Sequence, residues 1–146
     1  MIPLFDADGN LPPGVHLAAW GTFEARYCGT AHRQRLGRGL TTALSILHRA
    51  GCRRVYVDGS FVTVKVVPND YDAAWDPTGV DLLSLRSMEP VFFDFSHFRA
   101  AQKAKFLGEF FPSSLAEGRS GTTFLEFFQI DKDTGKQKGI IALDLQ

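Results

Sequence analysis

Two short strands, separated by a glycine–serine turn and a spacer, constrain this chain more than any other feature. Residues 54–58 (RVYVD) are β-branched and aromatic, which predicts a buried strand that ends at Gly59-Ser60. After a nine-residue spacer, residues 70–75 (DYDAAW) predict a second strand. Side chains two positions apart on a strand point to the same face, so Asp70 and Asp72 are expected to lie side by side.

The acidic pair and the turn before it suit a divalent metal ion that carries a polyphosphate. Two carboxylates held this close repel each other unless a cation lies between them, and Mg²⁺ or Mn²⁺ prefers such oxygen ligands. Gly59 lets the backbone approach a ligand, and Ser60 offers a hydroxyl to a phosphate oxygen. Each feature alone has an ordinary alternative: a solvent-exposed D-x-D turn, and a serine that only caps the turn after it.

The composition is that of an ordinary globular protein, and we expect one domain over residues 1–146. The formal net charge is zero, which excludes a global basic field for binding nucleic acid. Two cysteines are too few for a disulfide framework, and no apolar run has membrane-spanning length. With no secretory signal recognised, these features predict a cytoplasmic protein.

Helical and strand patterns alternate along the rest of the chain. In the first half we expect a strand at residues 2–6, a short helix capped by Thr22, and a longer helix capped by Thr30 and ended near Gly51. The second half predicts helices at 80–88 and 92–105, a third strand at 106–111, a helix or strand at 122–129, and a hairpin that turns at 133–135. The first residues of the 92–105 segment would also suit a strand.

A hydrophobic strand, Gly-Ser, a nine-residue spacer and Asp-hydrophobic-Asp together resemble the nucleotidyltransferase signature of the polymerase-beta superfamily. Longer phrases, including AGCRRVYVDGSFVT, PNDYDAAWDPTGVD, AAQKAKFLGEFFP and FLEFFQIDKDTG, resemble a family of small bacterial proteins of unknown function. That family is described as nucleotidyltransferase-like and is sometimes grouped with toxin–antitoxin genes. The resemblance implies an α/β (α+β) fold of the minimal polymerase-beta type, with a mixed central sheet flanked by helices.

The resemblance also implies roles for the residues of the motif. Gly59 and Ser60 would hold a nucleoside triphosphate, and Asp70 and Asp72 would bind Mg²⁺ or Mn²⁺. Lys65, in the spacer, is expected to neutralise the β- or γ-phosphate, with a solvated loop lysine as the alternative.

A third acid is expected on the strand that follows the next helix. Glu109 is the preferred candidate, because Gly108 and Pro112 frame a short strand around it. Asp94 is the rival if its segment is itself a strand, and Glu126 is a weaker third choice.

Two residues depart from the pattern of the superfamily: Asp58 replaces a hydrophobic residue, and Glu109 replaces the commoner aspartate. Two functions therefore stay open. One is transfer of a nucleoside monophosphate from a nucleoside triphosphate to a protein or RNA hydroxyl, within a toxin–antitoxin or defence system. The other is a catalytically degenerate module that acts through protein–protein binding. The expected partners are the nucleotide, the acceptor and a cognate toxin or antitoxin, with no membrane partner.

Overall fold

The structure is a computed structural model that describes residues 1–145. Five strands form its centre: β1 (Gly14–Ala18), β2 (Arg54–Asp58), β3 (Tyr71–Trp75), β4 (Gly108–Pro112) and β5 (Gly139–Asp144). They make one sheet in the order β1-β5-β2-β3-β4. The pairs β1–β5 and β3–β4 are parallel, whereas β2 is antiparallel to both β3 and β5. The predicted mixed sheet with helices is therefore confirmed.

Five helices surround the sheet: α1 (Trp20–Tyr27), α2 (Ala31–Arg49), α3 (Leu82–Met88), α4 (Ser96–Phe106) and α5 (Phe124–Phe128). Single 3₁₀ turns occupy Ser60–Val62 and Pro90–Phe93. Thr30 caps α2 as predicted, because its hydroxyl accepts a hydrogen bond from the backbone N–H of Arg33. In residues 1–145, no helix combines the length and the apolar content that crossing a lipid bilayer requires.

The two faces of the sheet are covered unequally. Alternate strand residues, such as Val55 and Val57, point into a large core shared with α1, α2, α3 and α4, which we call the α2 face. The residues between them, such as Tyr56 and Phe111, pack against Phe128 of α5 in a much smaller cluster, which we call the α5 face. Since α5 has only five residues, it leaves room on this face for a cavity.

Three predicted elements differ from the structure. Residues 2–6 form no strand, although Ile2 is buried; the first strand is instead β1, which the sequence pattern did not indicate. The first helix begins at Trp20 after Ala19 rather than after a Thr22 cap. The helix expected over 92–105 begins only at Ser96, because Pro90–Phe93 forms a 3₁₀ turn with the proline at its start.

The first turn of α4 is left-handed. His97, Phe98 and Arg99 have φ values of 52°, 55° and 61°, a conformation that side chains with a Cβ rarely adopt. Further along α4, Gln102 and Phe106 are buried on the α2 face, yet Arg99 lies against Phe111 on the α5 face. The left-handed turn therefore carries the chain around the edge strand β4.

Candidate active site

Three acidic residues form a row across the centre of the sheet. Asp58 at the end of β2 is paired with Asp72 of β3, and Asp72 is in turn paired with Glu109 of β4. Paired residues on neighbouring strands point to the same face, and neighbouring strands lie about 4.8 Å apart. All three carboxyl groups therefore stand on the α5 face, next to one another.

Gly59 makes room for the central acid of this row. Its φ of 88° and ψ of −173° lie in a region that essentially only glycine adopts. A Cβ at this position would lie 3.0 Å from Oδ2 of Asp72 and 3.3 Å from its backbone nitrogen. The glycine is thus needed both for the turn and for the close approach of the Asp72 carboxyl group.

The loop after Gly59 is held by a buried arginine. Arg33, only 8% exposed, donates hydrogen bonds from its guanidinium group to the backbone oxygens of Phe61 (2.6 Å) and Lys65 (2.6 Å). It also donates to the backbone oxygens of Tyr27 and Thr63. One side chain on α2 therefore fixes the path of the chain between the glycine–serine turn and the middle of the spacer.

Asp72 and Glu109 behave as one acidic pair. Burial, followed by the hydrogen bond to Glu109 and the repulsion of nearby carboxylates, raises the pKa of Asp72 well above its usual range. Burial acts in the same direction on Glu109, but the hydrogen bond from Asp72 and the positive charge of Arg99 hold its pKa below the usual value. Asp72 is therefore the weaker acid of the two, and the two carboxyl groups titrate as a pair.

The two outer acids of the row each have a cationic partner. Arg99 Nη2 lies 2.7 Å from Glu109 Oε1, and Lys103 Nζ lies 3.6 Å from the same oxygen. At the other end, Lys138 Nζ lies 2.7 Å from Asp58 Oδ1, with both side chains largely buried. Burial raises the pKa of Asp58, while Lys138 opposes this rise. Asp72, between them, has no basic partner within 4.0 Å among residues 1–145.

A cavity of about 470 Å³ opens beside this row, a volume typical of small-molecule sites. One wall is the segment from the glycine–serine turn to the start of β3. The opposite wall is α5 together with the turn that follows it, up to Lys138. Asp70 lines the cavity, half-buried; burial and the nearby charge of Glu109 raise its pKa, and Lys103, Lys132 and Lys65 act against that rise.

Residues 3–144 match the model of a family of unknown function, DUF6932. The chain belongs to the DUF6932 family. No curated protein and no solved structure matches it.

In this DUF6932 protein, five of the six sequence-predicted site residues line the cavity: Gly59, Ser60, Lys65, Asp70 and Asp72. The sixth, Glu109, joins the group through its pairing with Asp72. The two rival acids are placed elsewhere. Asp94 follows a 3₁₀ turn rather than standing on a strand, and it accepts hydrogen bonds from Ser96. Glu126 completes the capping box of α5 with Thr123.

The sequence analysis missed two of the basic partners of the acids. Arg99 and Lys138 are far from the acidic motif along the chain, and neither has a distinctive spacing from it. The one usable signal was Asp58, an acid at the end of a strand that was predicted to be buried. A buried acid of this kind requires a counter-ion, and Lys138 supplies it.

The donor chemistry of the site suits Mg²⁺ or Mn²⁺, although the ligands are not all gathered. Asp72 and Glu109 lie together because β3 and β4 pair in register, and a divalent cation would offset the negative charge of two such carboxyl groups. Across residues 1–145, no three carboxylate, imidazole or thiol side chains are grouped closely enough to hold a metal ion. The chemical types of these residues suit the ion, with Asp72 and Glu109 side by side and Asp70 outside that pair.

Proposed function

We propose that this protein is a metal-dependent nucleotidyltransferase that moves a nucleoside monophosphate from a nucleoside triphosphate to a hydroxyl group. The observation that carries the proposal is the pairing of Asp72 with Glu109 on neighbouring strands, beside the Gly59-Ser60 turn. This arrangement supports the finer assignment of the sheet to the polymerase-beta type. The cavity volume and its mixture of acids and lysines also suit a nucleotide with its metal ion.

Asp70, Asp72 and Glu109 are the residues that would hold Mg²⁺ or Mn²⁺. When bound, the ion neutralises the triphosphate and favours ionisation of the attacking hydroxyl. The chain itself contributes orientation. The Ser60 hydroxyl and the Gly59 amide are placed to bind phosphate oxygens, and Lys65 adds a positive charge at the same wall.

The acidic pair provides the proton chemistry of the proposed reaction. The acceptor oxygen forms a bond to the α-phosphorus, the bond from that phosphorus to the bridging oxygen breaks, and pyrophosphate leaves with the electron pair. The proton of the acceptor hydroxyl passes to a carboxylate of the acidic row. The acceptor is a hydroxyl of a protein or an RNA, and a cognate toxin or antitoxin fits as the partner that presents or blocks it.

A specific observation favours a second candidate, a degenerate module that acts through protein–protein binding. Arg99 and Lys103 already neutralise Glu109, and Lys138 neutralises Asp58, so two of the acids in the row do not need a metal ion. In this case the fold persists while metal-dependent transfer is lost.

The deciding experiment is transfer of label from α-³²P nucleoside triphosphates, tested one base at a time with Mg²⁺ or Mn²⁺, to total RNA and to total protein. We expect label in one acceptor class with the wild-type protein, and at least a hundredfold less with Asp72→Asn or Glu109→Gln. Asp94→Asn is the matched control, since it removes a charge from an exposed acid outside the site, and should transfer normally.

The same proteins separate the two candidates in a binding assay. If the wild-type protein binds none of ATP, GTP, CTP and UTP by calorimetry with either metal ion, the nucleotidyltransferase proposal is wrong. Binding of a nucleotide without transfer to any acceptor supports the degenerate module.

A further inference from the structure

The wall of the cavity opposite the glycine–serine turn carries cations that the sequence motif does not include. This wall ends in a short hairpin over residues 130–138, closed by a bridge between Ile130 and Gln137, which we call the C-terminal hairpin. It contributes Lys132 and Lys138 to the cavity lining. Both lysines act electrostatically on Asp58, and Lys132 also acts on Asp70, so both positive charges lie near the acids.

The C-terminal hairpin is well fixed. The backbone N–H of Asp131 donates to the Lys136 oxygen (2.8 Å), and the N–H of Lys138 donates to the Gln129 oxygen (2.9 Å). The Asp131 side chain accepts from the N–H of Asp133 (2.8 Å) and from Asn10 Nδ2 (2.9 Å), which ties the hairpin to the N-terminal loop. The cations of this wall are therefore presented on an ordered support.

Asp58 holds Lys138 in one place. The ion pair between them is largely buried, with side-chain exposures of 7% for Asp58 and 16% for Lys138. An exposed lysine moves through many rotamers, whereas this ammonium group is fixed at the cavity beside the Gly59 turn. Asp58, the acid that departs from the superfamily pattern, thus positions the Lys138 cation at the cavity.

Resting on the proposed function, we propose that Lys138 and Lys132 bind the polyphosphate tail of the nucleotide, and that Asp58 is the positioning residue of Lys138. A polyphosphate with its metal ion needs acids on one side and cations on the other, and this cavity has both. Lys132 has no ion-pair partner within 4.0 Å in the described part of the chain, so its charge is available to a ligand.

The test measures binding of tripolyphosphate and of ATP by calorimetry, both with excess Mg²⁺. Removing Lys138 alone would leave Asp58 buried without a partner and endanger the fold. The informative protein is therefore the double variant Asp58→Asn with Lys138→Met, which removes both charges together. We expect it to unfold like the wild type and to bind tripolyphosphate roughly tenfold more weakly, the loss of one charge-assisted hydrogen bond.

Three single variants complete the set. Lys132→Ala should weaken tripolyphosphate binding about threefold, because its side chain is more exposed. Lys136→Ala is the matched control: it removes the same charge from the same hairpin, outside the cavity lining, and should bind normally. Lys138→Arg keeps the cation beside Asp58 and should retain most of the affinity.

The outcomes separate this inference from the function on which it rests. A wild-type protein that binds neither tripolyphosphate nor ATP overturns the proposed function itself. If the wild-type protein binds both ligands and the double variant binds them with equal affinity, the proposed function is unaffected. Only the role of Lys138 in binding polyphosphate is then overturned, and Lys138 is simply the counter-ion of Asp58.

Discussion

Asp72 and Glu109 occupy paired positions on two parallel strands, and their carboxyl groups stand side by side on the α5 face. This pairing makes Asp72, the central acid of the row, a weaker acid than usual in the ligand-free protein. Burial is the first cause of the raised pKa of Asp72, and the neighbouring carboxylates of Glu109, Asp58 and Asp70 add to it. The stability of the ligand-free protein should therefore respond to pH through this residue.

The first prediction concerns Asp72→Asn. Because the pKa of Asp72 is higher in the folded protein than in the unfolded chain, the folded state binds more protons above the ordinary aspartate range, and stability falls as pH rises there. Asparagine removes this loss and still donates a hydrogen bond to Glu109. We expect the variant to gain about 1–3 kcal/mol over the wild type at pH 8 and less at pH 5.

Urea unfolding at several pH values checks this expectation. Asp8→Asn is the control, since Asp8 is exposed in the N-terminal loop and lies outside the acidic row. A gain for Asp72→Asn that does not grow between pH 5 and pH 8 would show that the pair does not hold its proton as described.

The second prediction concerns the turn that makes room for this pair. Gly59→Ala places a Cβ against Asp72 Oδ2 in a backbone conformation reserved for glycine, so we expect a loss of roughly 1–3 kcal/mol. Gly29→Ala is the matched control, because a Cβ there meets no atom within 4 Å and its φ lies outside the left-handed region. Thermal unfolding of the two variants measures the difference, and equal melting temperatures would contradict the strain at Gly59.

Much of this centre follows from local sequence. Residues 54–58 are β2 with the predicted bounds, and β3 begins one residue later than predicted, because β-branched and aromatic residues are bounded there by turn residues. Since consecutive strands joined by a short connection commonly pair, Gly59, Ser60, Asp70 and Asp72 were expected to lie near one another. The short connection between β2 and β3 restricts their relative positions more than any long-range contact does.

Two of the partners of these acids could not be predicted from the sequence. Arg99 reaches Glu109 only because the first turn of α4 is left-handed and passes around β4, and no glycine marks that turn. Lys138 reaches Asp58 only because β5 lies next to β2 in the sheet, a neighbour relation set by the global topology. For the same reason β1 was missed: it is a five-residue edge strand after a proline-rich turn, and its pairing with β5 defines it.

The third prediction concerns the buried arginine that holds the spacer. Arg33→Met keeps most of the apolar stem but removes the donors to the Phe61 and Lys65 carbonyl oxygens. We expect a loss of roughly 2–3 kcal/mol, together with faster amide hydrogen exchange in residues 62–65. Arg35→Met changes an exposed arginine on the same helix and should cost less than about 0.5 kcal/mol. Equal effects of the two substitutions would contradict the role given to Arg33.

The last prediction concerns the left-handed turn that delivers Arg99 to the site. Phe98 has a φ of 55° and is 80% exposed, so replacing it removes strain without removing much packing. Phe98→Gly should be about 1 kcal/mol more stable than Phe98→Ala, because alanine keeps the Cβ that makes this conformation costly. In a right-handed helix the order is reversed by a similar amount, since glycine is then the poorer residue. Urea unfolding of these two variants therefore reports the handedness of the turn directly, and an alanine variant more stable than the glycine variant would mean that Arg99 reaches Glu109 by another path.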